Sequence, residues 1–208
     1  MASTTIDIET ELSAVNSILG AIGQSPVTQV SGNTNPEVSF IYNLLRDANV
    51  DVQNEGWHFN TEKHVNFKPD SNNKISIPTD VLKMDVSNGW SHRVYDVVKR
   101  NGYLYDKFDH TDDWSNAATG GIDLDIVKLF SFEDLPSVFQ RYIILMASGR
   151  AATQLVGNPQ LVQLLAQRES YARAACLEYE CNQGNHSIFG FPEDTVYRTY
   201  QPYKALRR

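Results

Sequence analysis

Apolar residues along the first quarter of the chain recur at the spacing of two amphipathic helices separated by a firm stop. Leu12, Val15, Ile18, Leu19 and Ile22 share one helical face. Gly23 is placed to end that helix, and Pro26 prevents its resumption. Asn35 and Pro36 form a cap and first-turn pair that opens a second helix. In it Val38, Ile41, Leu44, Leu45, Ala48 and Val52 repeat on one side as far as about Glu55, before Gly56 breaks the pattern.

Beyond Gly56 the period changes to short runs of aromatic and β-branched residues bounded by turn formers, which predicts an antiparallel β module. The expected strands are 57–67, 74–77, 81–86, 92–99, 103–105 and 124–130. Turn chemistry lies at 69–73, at 87–89, at Asn101-Gly102 and at Gly120-Gly121. The clearest hairpin signal is Arg100-Asn101-Gly102-Tyr103, since Asn-Gly suits a two-residue turn with both φ angles positive.

Helical spacing returns at Pro136, with Val138, Tyr142, Leu145, Met146, Ala152, Leu155 and Val156 on one side and Gly157 as the stop. Asn158-Pro159 starts a fourth helix carrying Leu161, Leu164, Leu165, Arg168, Tyr171, Ala172, Ala175 and Tyr179 toward Gly184. These apolar and aromatic stripes are read as core. The three-residue link Gly157-Asn158-Pro159 folds helices three and four back on each other as an antiparallel hairpin. The sequence thus predicts an α+β fold: an antiparallel four-helix bundle built from both ends of the chain (1–56 and 131–186), an inserted β module (57–130) and an extended C-terminal arm (187–208).

The arm has no helical period, two prolines and five aromatics, Phe189, Phe191, Tyr197, Tyr200 and Tyr203. Disordered, purely solvated segments are poor in aromatics. Arg198, Lys204, Arg207 and Arg208 against Glu193 and Asp194 give +4 − 2 = +2 on a chain whose net charge is −7. That composition marks a segment that binds a partner, through Phe189, Phe191, Tyr197, Arg198, Tyr200, Tyr203, Arg207 and Arg208.

At 208 residues, 41% hydrophobic and 21% charged, the composition is that of a globular protein. The longest apolar run, 142–147, is far too short to span a bilayer, and the acid-bearing start lacks the basic, apolar pattern of a signal peptide, so assembly in the cytoplasm is expected. A net charge of −7 disfavours a surface that coats nucleic acid. Cys176 and Cys181 lie five apart on one expected helix, too divergent for a disulfide, and only His186 lies near enough to join them at a metal. They are read as core or surface thiols.

The acid-rich loop from Asp106 to Asn116, with Asp123 and Asp125 beyond it, is the one stretch that invites a catalytic reading. Its Asp109, His110, Asp112 and Asp113 lack the EF-hand register, and carboxylates on a loop are poorly held at the fixed separation glycoside hydrolysis needs. The reading retained is a solvated loop or a partner contact, the contact being made by Asp109, Asp112, Asp113 and Trp114. His58 and His64, six apart on an expected strand, sit on one side but too far apart to share a metal. No nucleophile elbow, Walker or dinucleotide motif occurs. Catalytic residues, metal ligands and cofactors are therefore expected to be absent.

Several stretches together resemble the tail tubular protein A family, the head-to-tail adaptors of short-tailed phages. They are Glu11 to Val27, Gly56 to Glu62, Gly102 to Asp106, Phe132 to Pro136 with Phe139 to Ile143, and Ala172 to Glu180. None is a catalytic motif, so the resemblance rests on order and spacing, and it stops short of the last twenty or so residues. It implies a homo-oligomeric, twelve-fold ring between the portal protein and a tail nozzle protein of the tail tubular protein B type. In that ring, helical bundles pack side by side around the DNA channel and the β modules face the nozzle, which makes Asp109, Asp112, Asp113 and Trp114 the nozzle contact. DNA passes without sequence-specific contact, and the ring assists tail assembly, genome retention and ejection at the head-tail junction of the virion. The family resemblance also carries an alternative, a glycan hydrolase side activity, which here falls to loop 106–125.

Overall fold

The computed structural model describes residues 10–30, 35–87, 95–115 and 121–183. Among them are four helices, α1 (Glu11–Ala21), α2 (Pro36–Asn54), α3 (Ser137–Ala151) and α4 (Pro159–Gln183), and five strands. The strands are β1 (Thr61–Phe67), β2 (Val81–Val86), β3 (Val97–Arg100), β4 (Tyr103–Asp106) and β5 (Ile122–Lys128). All the strand pairs are antiparallel, in one sheet of order β1-β5-β2 and one β3-β4 hairpin. The fold is α+β.

Local chemistry explains the helix ends. The Thr10 hydroxyl accepts from the Ser13 N–H at the start of α1, and the Asn35 side chain accepts from the Glu37 N–H at the start of α2. At the end of α1, Gln24 N–H donates to the Leu19 carbonyl and Gly23 N–H to that of Gly20, with Gly23 at φ +80°. This is the glycine-terminated closure that residues with a Cβ resist. Asn16 then grips the backbone of Val27 through both its amide groups, at 2.7 and 3.0 Å, fixing the chain that leaves α1.

The six α2 positions named from the sequence are all buried. With Ala14, Val15, Ile18 and Leu19 of α1 and Phe139, Tyr142, Ile143 and Ala147 of α3, they form one apolar core. Helix α3 is the hub, because α1, α2 and α4 all pack on it, and α3 and α4 form the expected antiparallel hairpin. A second, separate core lies in the β module, around Ile75, Leu104, Trp114, Ile122, Leu124 and Ile126.

Within the helical core, aromatic rings gather on Phe139: Trp57 at 4.9 Å, Phe59 at 4.6 Å and Tyr179 at 5.8 Å between centroids. Two fully buried amides stitch the junction of the two cores. Asn60 donates to the Gln53 and Lys128 carbonyls and accepts from the Trp57 N–H. Gln53 donates to the Phe130 carbonyl and accepts from the Phe130 N–H.

Several expectations need correction. The strand expected from residue 57 begins at Thr61, because residues His58–Asn60 form a 3-10 turn that the Asn60 amide closes. His58 is therefore off the strand, and His64 sits at φ +56° in a bulge, so the two do not share a regular strand face. The strand expected at 74–77 is only a bridge, Ser76 to Tyr103, flanked by hydrogen bonds from Ile77 and Leu104. Leu155 and Val156 are exposed rather than core, since Ala152–Val156 widen into a π turn that closes on Gly157. The strand expected at 124–130 runs instead from Ile122 to Lys128. The hairpin Arg100 to Tyr103 is as expected, with Asn101 at φ +51° and Gly102 at +82°.

Candidate interaction surfaces

The loop that follows β4 is held by its own acids. The Asp106 side chain, 2% exposed, accepts from the Phe108 N–H, while its backbone pairs with Thr111 in both directions. Asp113 accepts from the Ser115 N–H, and its own N–H donates to the Thr111 hydroxyl. Lys74 reaches Asp112 at 2.7 Å and Lys107 reaches Asp96 at 2.7 Å. The hydrogen bond from Lys74 holds the Asp112 carboxyl below its ordinary range, and Lys74 is raised by the same contact.

Trp114, expected as a contact residue, is 4% exposed; its indole N–H donates to the Leu104 carbonyl and its ring packs on Tyr95. It anchors the loop and does not present itself. What the loop presents is Phe108, 69% exposed at the tip, beside Asp109 and His110. Phe108 was missed from the sequence, although an aromatic inside an acid-rich turn is a visible signal. Farther along the sheet, Asp125 accepts from the His64 N–H and the Ser87 hydroxyl, and Asp123 from the Asn66 amide.

These contacts give the carboxylates positioning work. A general acid needs a pKa raised by burial or a like charge, and Asp112 is displaced the other way. Among the described residues no group of three or more His, Cys, Asp or Glu side chains is arranged to hold a metal ion, and no helix is long and apolar enough to cross a membrane.

A second surface lies on α4. Leu165, Ala172 and Cys176 are buried, the last two in the helical core, where the Cys176 thiol donates to the Val138 carbonyl of α3. Leu164 and Tyr171, both expected in the core, are 59% and 77% exposed. The apolar positions of α4 spread around more of its circumference than one buried face requires, which is the sequence signal for a second contact surface. Burial pushes the Cys176 thiol up to about 11, whereas Cys181 is exposed. The proposed arm residues Phe189, Phe191, Tyr197, Arg198, Tyr200, Tyr203, Arg207 and Arg208, and the helix stop at Gly184, lie outside the described residues.

Comparison with protein families matches residues 12–186 to the family described as Tube, tail tubular protein. No curated protein matches the chain.

Proposed function

Because the chain belongs to the tail tubular protein family, and so is a structural component of a phage tail, we propose that it is the head-to-tail adaptor. In this reading it forms a homo-oligomeric ring, a dodecamer by resemblance, between the portal protein and the tail nozzle protein at the head-tail junction. The ring is assembled in the host cytoplasm, supports genome retention and ejection, and lets DNA pass without sequence-specific contact. The 1–56 and 131–186 segments act as the helical bundle, 57–130 as the module toward the nozzle, and the arm 187–208 as the link to partners.

The observation that carries this reading is the exposed apolar flank of α4, where Leu164 and Tyr171 are 59% and 77% exposed. Exposed apolar patches of this kind mark interaction sites. Size supports more than one copy: about 208 residues give a radius of gyration of about 17 Å, too little for one chain to enclose a duplex. Lateral contacts should bury more than roughly 1,000 Å² for each pair of copies. The negative charge of the chain suits a channel that lets DNA slide past without gripping it.

Electron micrographs of the purified protein and of virions, with sedimentation to count copies, test the proposal. Closed rings, and the protein at the head-tail junction, are expected. A protein that stays monomeric at all concentrations, or that labels the virion elsewhere, would overturn the adaptor reading.

A further inference from the structure

Between α3 and α4 runs an open groove of about 710 Å³. Val138 and Leu145 of α3 and Tyr171 and Ala175 of α4 supply its apolar surface, and Arg141 and Arg168 stand at its edge. Both arginines are exposed, and neither is ion-paired among the described residues. An apolar groove edged by two guanidinium groups selects an apolar or aromatic peptide that carries carboxylates.

The chain itself contains such a peptide. Its last 25 residues divide by charge: Ile188 to Asp194 holds Phe189, Phe191 and the adjacent acids Glu193 and Asp194, while Thr195 to Arg208 holds four bases and no acid. We propose that the α3/α4 groove of one copy is the binding site for the Ile188 to Asp194 segment of the adjacent copy. The aromatics enter the groove, and Glu193 and Asp194 meet Arg141 and Arg168. The proposal rests on the multi-copy reading above and names the contact that joins the copies.

Chain length favours the neighbour. Helix α4 runs to Gln183, roughly 12 Å past Ala175 at about 1.5 Å per residue. To enter its own groove the chain would have to reverse within Gly184 to Ser187 and run back along the helix it has just left. Carried outward at about 3.3 Å per residue, the same stretch brings Phe189 beyond its own helix pair. Each copy then gives one segment and receives one, the heterologous contact from which closed rings are built. Binding there would also set the point from which the basic second half of the arm departs.

The test uses the full chain with Cys181→Ser, Ala175→Cys and Phe191→Cys, mildly oxidised and run without reductant. A ladder of covalently linked copies that collapses with reductant is expected. Arg141→Glu with Arg168→Glu should weaken association by at least ten-fold, and Glu193→Arg with Asp194→Arg in the same chain should restore most of it. A crosslinked monomer of altered mobility assigns the segment to its own groove and overturns the proposal. No crosslink in a protein that still sediments as a ring overturns it while leaving the ring standing. A wild-type protein that never associates sinks both.

Discussion

Arg173 of α4 holds Glu55, just past the end of α2, with both ends of its guanidinium group, at 2.8 and 2.9 Å, and donates a third hydrogen bond to the Tyr142 hydroxyl at 2.9 Å. The hydrogen bond to Glu55 raises the pKa of Arg173, with that to Tyr142 adding to it. This fork ties α4 to the junction of the two cores, beside the hydrogen bonds that Glu180 accepts from the His58 N–H. Since α4 buries only Leu165, Ala172 and Cys176, polar contacts carry an unusual share of its attachment.

Arg173→Ala should therefore lower stability, but modestly. Both side chains are more than a third exposed, which limits the ion pair to about 1 kcal/mol, or a fall in Tm of about 2–4 °C for a domain of this size. Arg173→Lys keeps the charge and loses the fork, so it should behave more like the alanine variant than the wild type. Thermal unfolding of the three proteins decides this, and full recovery by lysine would contradict the fork.

The buried amides predict a larger effect. Asn60→Ala leaves the Trp57 N–H and the Gln53 and Lys128 carbonyls short of a partner, at about 1–3 kcal/mol for each buried group left unsatisfied. We expect a loss of at least about 3 kcal/mol in denaturant unfolding, with the helical and β cores uncoupling before either melts. A loss under about 1 kcal/mol would mean that water replaces the amide.

The sequence made most of the helices legible because α2 and the glycine stops obey local rules. The Asn101-Gly102 turn was legible for the same reason, since its positive φ angles are a property of two residues. What it hid depends on partners distant in the chain. The run Trp57-His58-Phe59-Asn60 has strand-like composition, yet its rings turn toward Phe139 and its amide toward Lys128, so tertiary contacts override propensity. Leu155, Val156, Leu164 and Tyr171 look like core by spacing alone, and only the π turn and the position of α4 on one side of α3 expose them. In the acid loop, composition pointed to Asp109, Asp112, Asp113 and Trp114 as a contact, but the folded loop turns Trp114 inward onto Leu104 and leaves Phe108 exposed instead.

The cysteines should separate by reactivity. At neutral pH a thiol-labelling reagent should modify Cys181 quickly in the native protein and Cys176 only after unfolding, giving one fast thiol per chain. The folded Cys176 pKa lies above its ordinary value of 9.0. The native state thus holds that proton longer than the unfolded chain does, and stability is lost as pH rises from about 9 to about 11. Cys176→Ala should flatten that part of the pH profile. Two fast thiols in the native protein would show that Cys176 is not enclosed.

Phe108 separates the contact reading of the loop from the catalytic one. Its ring lies 69% exposed on a loop fixed by Asp106, Lys74 and Trp114, so Phe108→Ala should leave stability unchanged. If the loop meets the nozzle protein, an aromatic anchor held in this way is worth about 2 kcal/mol, and its removal should weaken attachment roughly 30-fold in a binding titration. Asp109→Asn, Asp112→Asn and Asp113→Asn together should give a folded protein that still forms rings, since an asparagine side chain can accept the hydrogen bond that Asp113 takes from the Ser115 N–H. That triple variant is also the sharpest test of the hydrolase alternative. A measurable rate of sugar release from a defined glycan by the wild type, abolished in the triple variant with glycan binding retained, would move the loop from contact to active site. Unchanged nozzle affinity in Phe108→Ala would remove the loop tip from the interface altogether.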